Sequence, residues 1–178
     1  MRSGLKLAMA GIALGGVGLG GCTMNGNGGG TAEPTAVADL MTANGQSVGR
    51  ATATAMSDGI QIVVEGRNMP PGAHGAHVHT VGRCDAPTFE TAGGHWNPMA
   101  KKHGMENPAG PHAGDMPNLD VGTDGSGVLT VTLPGGTFDG LFDADGSAMM
   151  IHAGPDDMWT DPSGNSGSRI ACGVFRRS

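Results

Sequence analysis

The sequence predicts a small all-β domain whose strands are joined by long loops. Glycine and proline, the two poorest helix formers, occur 34 and 11 times in 178 residues, about a quarter of the chain. Short runs of alternating apolar and polar residues recur between turn residues, and no longer window has a convincing helical period. Aromatic residues make up only 3% and tyrosine is absent, so the small apolar core needs additional stabilisation.

The alternating runs predict where the strands lie. Residues 48–66 contain two such runs around the turn Ser57-Asp58-Gly59, a pattern typical of a β-hairpin. Further runs predict single strands at 76–80, 128–133, 148–152 and 170–175, with a weaker N-terminal one at 36–42. Alanine is frequent in these runs, which indicates closely packed sheet faces.

Residues 81–120 interrupt the pattern with five prolines and no strand periodicity. A segment of this length without secondary structure is uncommon inside a compact domain and is usually functional. We expect something other than a hydrophobic core to order it.

The charge balance argues against two classes of protein. A formal net charge of −6 with 15% charged residues is modest, whereas disordered chains usually combine low hydrophobicity with high net charge. The sequence has no basic stripe and no aromatic stacking platform, so nothing in it indicates nucleic-acid binding.

The first 21 residues have the organisation of an export signal. Two basic side chains precede a short apolar segment, residues 7–19, which is too glycine-rich for a comfortable membrane span. The segment ends in LGGC, which resembles the lipobox of bacterial lipoproteins. We therefore expect residues 1–21 to be a signal peptide and Cys22 to carry a lipid anchor in a membrane. An ordinary secretory signal and a short membrane helix are the alternatives.

Residues 22–35 then have the composition of a flexible tether, and residues 36–178 form the predicted folded domain. The expected location is the bacterial cell envelope, facing the periplasm or the cell exterior. Loss of the two basic residues of the signal takes the formal charge from −6 to −8.

The cysteine count predicts one disulfide. With Cys22 lipidated, Cys84 and Cys172 remain as a pair in an exported protein, where disulfides persist. Closing so long a loop stabilises a fold by about 4–5 kcal/mol in the chain-entropy model. Two buried free thiols are the alternative.

Seven histidines supply a candidate metal centre. His77 and His79 lie two residues apart on a predicted strand, so both point to the same face. The long loop and the end of a later strand add His95, His103, His112, Asp115 and His152. Imidazole and carboxylate suit zinc, and imidazole clusters suit copper equally well, so there are enough ligands for two metals.

The sequence around these residues resembles copper/zinc superoxide dismutase. The motifs are HGAHVH at 74–79, AGGHWNPMAKKHGMENPAGPHAGDMPNL at 92–119, IHAGPDD at 151–157 and GSRIACGVF at 167–175. The likeness covers nearly all of residues 45–178. Its most specific part is the spacing His95-x7-His103-x8-His112-x2-Asp115. The early position of Cys84 resembles the bacterial, exported branch.

This resemblance implies a Greek-key β-sandwich or flattened barrel of about eight antiparallel strands, with long metal-binding and active-site loops. It also implies an oxidoreductase that converts superoxide to oxygen and hydrogen peroxide with copper and zinc. The copper ligands matched by motif are His77, His79, His95 and His152. The matched zinc ligands are His95, His103, His112 and Asp115, with His95 bridging the two ions.

Three more positions match the family residue by residue, and His95 has a further role. Asp156 corresponds to the carboxylate that links a copper-ligand histidine to a zinc-ligand histidine, with a plain turn residue as the alternative. Arg169 corresponds to the arginine that guides the superoxide anion, with a surface arginine as the alternative. His95 would carry the proton, and His74 matches a structural, non-ligand position.

The sequence departs from the eukaryotic members of the family between His152 and Arg169, where it lacks their steering lysines. Attraction of an anion by a chain of charge −8 must then be local. Lys101 and Lys102 are candidates for this role, although solvated loop lysines are the plainer interpretation.

Other roles stay open at this point. Four loop methionines, Met99, Met105, Met116 and Met158, are expected to pack, with copper acquisition as the alternative. The alternative to an enzyme is a periplasmic copper/zinc buffer or donor of the same fold, which would tolerate the loss of Arg169. A copper-only relative is disfavoured because the zinc set is complete, and both a monomer and a homodimer remain open.

Overall fold

The structure is a computed structural model that describes residues 33–178. The predicted signal peptide, the lipidation site Cys22 and nearly all of the tether therefore lie outside the described residues. The strands are β1 (Thr35–Met41), β2 (Ser47–Met56), β3 (Gly59–Gly66), β4 (Gly72–His74), β5 (Ala76–His79), β6 (Leu119–Val121), β7 (Gly127–Leu133), β8 (Ala148–His152), β9 (Arg169–Val174) and β10 (Arg176–Arg177). Two short 3-10 helices span Glu90–Ala92 and Phe138–Phe142.

Eight strands form one antiparallel sheet in the order β5-β8-β9-β1-β2-β3-β7, with β10 paired to β1. The sheet curls into a half-barrel, and β4 and β6 form a separate two-stranded sheet. From β3 the chain crosses to β5 at the far edge, returns beside β3 as β7, and crosses again to β8. These crossings are Greek-key connections, so the predicted fold class is confirmed.

The strands with clear periodicity lie where the sequence predicts them. The β2–β3 hairpin, β5, β7, β8 and β9 match the predicted runs within two residues, and so does the weakly predicted β1. The sequence reasoning missed β4, β6 and β10, because strands of two or three residues are too short to show a period.

The core lies on the concave side of the sheet and is built largely from small side chains. Alternate residues of β1 and β2 are buried alanines, whereas β3 contributes larger aliphatic side chains. The long loop also buries Trp96, Ala113 and Met116 in this core cluster. The loop therefore has some apolar contacts in addition to the other interactions expected to order it.

The predicted disulfide is confirmed. Cys84 and Cys172 are bonded across a sequence separation of 88 residues, with their Cα atoms 5.7 Å apart. The bond fastens the beginning of the long loop to β9, the strand that also carries Arg169. No helix within the described residues has the length and apolarity that crossing a membrane requires.

Candidate metal centre

Backbone hydrogen bonds hold the long loop against the outer edge of β5. The Val78 N–H donates to the Gly114 carbonyl at 2.9 Å, and the Trp96 N–H donates to the Val78 carbonyl at 2.8 Å. A Cβ at position 114 would lie 2.3 Å from the Val78 oxygen, so this approach requires glycine. The pairing creates two isolated bridges, His77 with Asp115 and His79 with His95.

One cluster, which we call the histidine cluster, consists of four histidines whose side chains are buried. β5 supplies two of them, the loop supplies one and the end of β8 supplies the last: His77, His79, His95 and His152. One nitrogen from each ring lies within 4.8 Å of the nitrogens of the others. Because β8 pairs directly with β5, the sheet itself sets three of these four positions.

The inward nitrogens of this cluster have no partner in the protein. Among the described residues, the buried side-chain atoms without a hydrogen bond are His77 Nδ1, His79 Nε2, His95 Nε2 and His152 Nε2. Leaving a buried polar atom unpaired costs about 1–3 kcal/mol. Four such nitrogens directed at one point suit a metal that accepts imidazole ligands, as copper does.

The outer nitrogens of the three strand histidines lie next to acceptors. The contacts are His79 Nδ1 to the Gly93 oxygen at 3.0 Å, His152 Nδ1 to the Gly167 oxygen at 3.1 Å, and His77 Nε2 to Asp156 Oδ2 at 2.6 Å. Since carbonyl and carboxylate oxygens only accept, each outer nitrogen carries the proton. The inward lone pairs are therefore directed at the shared centre.

Burial keeps these rings neutral. It lowers the pKa of His77 to about 3, that of His79 to about 2 and that of His152 to about 4. Repulsion from His95 and Arg169 adds to the effect at His79, whereas the hydrogen bond with Asp156 opposes it at His77. A neutral imidazole is the form that binds a metal.

The second cluster combines three histidines with one carboxylate: His95, His103, His112 and Asp115. Asp115 Oδ1 lies 2.8 Å from His95 Nδ1, 3.1 Å from His103 Nδ1 and 3.2 Å from His112 Nδ1. Ligands on a tetrahedral zinc ion, with bonds of about 2.0–2.1 Å, are separated by about 3.3 Å. The donor types and their spacing therefore both fit zinc, and we call these four residues the zinc cluster.

The loop also wraps around the Asp115 carboxylate. Its Oδ2 accepts the main-chain N–H groups of Gly104 and His112, each at 2.9 Å. Burial would raise the pKa of Asp115, but the hydrogen bonds from His103, His95 and Gly104 hold it far below its usual value. The side chain is therefore a carboxylate, the form that binds zinc.

His95 belongs to both clusters. Its Nδ1 contacts Asp115, whereas its Nε2 is one of the four unpaired nitrogens of the histidine cluster. The ring stacks on His77 with centroids 3.9 Å apart. One imidazole thus presents a different nitrogen to each cluster.

A second side chain joins the clusters from behind. Asp156 Oδ2 contacts His77 Nε2 at 2.6 Å, and its Oδ1 contacts His103 Nε2 at 3.0 Å. Asn118 exchanges two hydrogen bonds with the Asp156 main chain, at 2.8 and 3.0 Å. At Gly164 the φ angle is +61° and a Cβ would lie 1.8 Å from Asp156 Oδ1, so glycine is required there.

Arg169 lies at the start of β9, opposite His152 in the strand register. Its guanidinium donates to the Phe89 carbonyl at 2.6 Å and to the Gly93 carbonyl at 2.7 Å. The same Gly93 oxygen orients His79, so one carbonyl aligns both a candidate ligand and the arginine. Burial lowers the pKa of Arg169, but it remains a cation beside the histidine cluster.

Sequence reasoning missed the supporting groups around the two clusters. Asn118 and Gly164 could have been recognised by residue type, and Asn118 lies within the motif at 92–119. The carbonyls of Phe89, Gly93 and Gly167 carry no such signal, because every residue has a carbonyl. His74 lies outside both clusters, with its ring nitrogens 2.8 Å from the carbonyls of His152 and Pro70.

The loop lysines and methionines differ in exposure. Lys102 forms an exposed ion pair with Asp161 at 2.9 Å, and Lys101 is exposed beside it. Met116 is fully buried, in agreement with a packing role. Met99 and Met105 are 65% and 45% exposed and therefore pack only in part.

A family model described as copper/zinc superoxide dismutase matches residues 47–175. The chain belongs to the copper/zinc superoxide dismutase family. It is therefore an oxidoreductase of this class, with copper and zinc as cofactors and superoxide as substrate.

Individual relatives agree with this result. The superoxide dismutase [Cu-Zn] 1 of Aquifex aeolicus is 47% identical over 145 residues, which cover 78% of this chain and 86% of the relative. A SOD-like protein from Bacillus subtilis superposes with a TM-score of 0.72 at 40% identity, covering 78% and 96% of the two chains. The Cu/Zn superoxide dismutase of Brucella abortus gives 0.66 at 28% identity, with coverages of 80% and 99%.

Proposed function

We propose that the two clusters divide the cofactors between them and that superoxide reacts at the histidine cluster. Copper would be held by His77, His79, His95 and His152, and zinc by His95, His103, His112 and Asp115. The observation that carries this assignment is the set of four unpaired, inward nitrogens. When bound, copper supplies a one-electron redox couple and zinc a fixed cation without redox chemistry.

Arg169 binds and orients the substrate. It presents a partly exposed cation beside the histidine cluster, where a small anion is attracted, and two carbonyls fix the guanidinium plane. Because those carbonyls use only two of its five N–H donors, others remain to hydrogen-bond the anion. Arginine therefore determines where superoxide approaches the cluster.

His95 handles the proton. Dismutation consumes two protons for each peroxide formed from two superoxide anions, and His95 Nε2 faces the cluster where the anion is held. When it does not hold copper, this nitrogen can carry a proton and release it toward the peroxide, while Nδ1 stays engaged with the zinc cluster. Asp156 holds His77 and His103 in orientation during these changes.

The test combines metal content with superoxide consumption by the mature chain. We expect one copper and one zinc per chain with rapid dismutation. Replacing Arg169 by alanine should lower the rate by about 100-fold with unchanged metal content, within the range for losing a charge-stabilising donor. Arg169→Lys keeps the charge but loses the paired donors, so it should recover only part of the rate.

Two outcomes would contradict this proposal. Metal content of one copper and one zinc without dismutation would favour the alternative, a copper/zinc buffer of the same fold. Full activity in Arg169→Ala would remove the assigned role of the arginine.

We further propose that this enzyme is anchored by a lipid on Cys22 in the bacterial cell envelope, where it removes extracytoplasmic superoxide. The lipobox-like LGGC motif supports the anchor. The Cys84–Cys172 disulfide supports an oxidising compartment. We expect Cys22→Ala to move the protein from the membrane fraction to the soluble fraction and to abolish the mass added by the lipid. Retention of both in the variant would rule out this anchor.

A further inference from the structure

The loop between β8 and β9 contacts the zinc cluster from its outer side through Asp161. Asp161 Oδ1 accepts the main-chain N–H of His103 at 2.8 Å and lies 4.0 Å from His112 Nε2. Its Oδ2 forms the ion pair with Lys102. The carboxylate is therefore fixed on both oxygens and faces a candidate zinc ligand.

Metal-binding histidines commonly direct their second nitrogen to a carboxylate, carbonyl or water, which sets the ring orientation and its basicity. His103 directs its Nε2 to Asp156 at 3.0 Å. His95 directs its Nε2 to the histidine cluster. Asp161 lies on the corresponding side of His112, with Oδ1 4.0 Å from its Nε2, which is beyond hydrogen-bond distance but close enough for electrostatic attraction.

We propose that Asp161 is a positioning residue for the zinc cluster, an inference that rests on the proposed zinc site. It orients His112 by attraction at Nε2 and holds His103 by its main-chain N–H. Through these two ligands it sets the affinity for zinc and couples the β8–β9 loop to the zinc cluster.

A purely structural role for Asp161 in ordering its own loop can be separated from this one. Asp157 orders the same loop, since its carboxylate accepts from Trp159 N–H at 3.0 Å, Thr160 N–H at 2.8 Å and Asn165 Nδ2 at 3.0 Å. None of these three partners belongs to either metal cluster. Asp157→Asn is therefore a matched control that changes a carboxylate of the same loop without facing a zinc ligand.

Lys102 offers a second control. Its ion pair with Asp161 is solvent-exposed, and such pairs contribute little. Lys102→Met removes the cation and leaves the contacts of Asp161 with His103 and His112 in place. A zinc affinity set by those contacts should hardly respond to this change.

The experiment measures the zinc dissociation constant of the mature, copper-loaded chain by competition with a chelator. Asp161→Asn should weaken zinc binding by about 10-fold, within the range for loss of such a supporting group. It should also shift the visible absorption of Co²⁺ bound in place of zinc. Asp161→Glu should recover part of the affinity, and Asp157→Asn and Lys102→Met should stay within about threefold of the parent, with unchanged Co²⁺ spectra.

Equal zinc affinity in Asp161→Asn and the parent would overturn the inference, and so would an equal loss in Asp157→Asn. If Asp161→Asn folds poorly, the increase in unfolding temperature on adding zinc is compared instead. An increase as large as the parent's would also overturn it, whereas a smaller one supports it. If the parent chain itself binds no zinc, it is the proposed function that fails.

Discussion

The two halves of the metal centre are built in different ways. The histidine cluster stands mainly on paired strands, and carbonyls and one carboxylate fix its outer nitrogens. The zinc cluster stands entirely on the long loop, whose residues gather around the Asp115 carboxylate. The geometry of the histidine cluster therefore depends mainly on the sheet, and that of the zinc cluster depends on the contacts of the Asp115 carboxylate.

We infer that the histidine cluster serves the reaction and that the zinc cluster orders the loop. The sheet holds three of the four residues of the histidine cluster by strand pairing. Within the loop of residues 81–120, Trp96, Ala113 and Met116 pack into the core cluster. We expect zinc binding to complete the order of the loop, and His95 would transmit that order to the histidine cluster.

The largest expected effect comes from removing one ligand of the histidine cluster, compared with removing one ligand of the zinc cluster. His79→Ala should lower the dismutation rate by well over 100-fold, since loss of a ligand exceeds the 10–100-fold cost of losing a supporting group. His112→Ala should instead lose zinc and lower the unfolding temperature, with a smaller loss of rate. Rates measured by pulse radiolysis and unfolding by calorimetry on both variants test this division. Equal rate losses in the two variants would contradict it.

Removing the metals and the disulfide together should expose the dependence of the loop on both. The disulfide fastens the beginning of the loop and the zinc cluster fastens its later part. Loss of the bond alone should cost about 4–5 kcal/mol in the chain-entropy model. Because either constraint limits the freedom that the other would release, loss of both should cost more than the sum.

Urea unfolding of four forms measures this coupling: metal-loaded and metal-free chains, each with the disulfide intact or with Cys84→Ser. The cycle isolates the interaction between the two constraints. Additive losses would show that the disulfide and the metals stabilise separate parts of the fold.

The metal-free chain should lose stability on both sides of neutral pH, for opposite reasons. In the histidine cluster, burial lowers the pKa of His77 to about 3 and that of His152 to about 4, so protons bind the unfolded chain first. Stability from these rings is present above pH of about 6.5 and is lost as the pH falls toward 4.

His103 of the zinc cluster behaves in the other direction. Burial alone would lower the pKa of His103, but Asp115 and Asp156 raise it to about 9. Its contribution is complete below about 6.5 and is lost as the pH rises through 9. Unfolding midpoints of the metal-free chain from pH 4 to 10 test both limbs. Asp115→Asn should flatten the alkaline limb, and an unchanged alkaline limb in that variant would contradict the assignment.

Much of the fold was accessible from the sequence because sheet residues report their environment locally. The alternation in Ile60-Gln61-Ile62 follows from one buried face, and it predicted β3 directly. β6 and β10 could not be found this way, because they form only where a distant strand offers hydrogen bonds.

The residues of the candidate site also differ in how well the sequence predicts them. Its histidines and Asp115 could be named from spacing and family resemblance, since ligand chemistry restricts residue type. The groups that orient them could not, because a carbonyl such as that of Gly93 is common to all residues. Asp161 was missed for a different reason: its contacts join two loops that are far apart in sequence.

The smallest expected effect concerns the two loop lysines. Asp161 offsets much of the charge of Lys102, so Lys101 is the better candidate for attracting superoxide. Replacing both with alanine should lower the rate by less than about threefold at low salt, and the difference should vanish at high salt.

Single replacements sharpen this test. Lys101→Ala and Arg176→Ala each remove one positive charge, but Arg176 lies on β10 rather than beside His103. If attraction is local, only the lysine variant lowers the low-salt rate and flattens the salt dependence. If both variants lower it equally, net charge is responsible and Lys101 has no steering role. If neither changes it, Arg169 alone supplies the attraction, and the loop that binds zinc contributes order to the site but no guidance to the substrate.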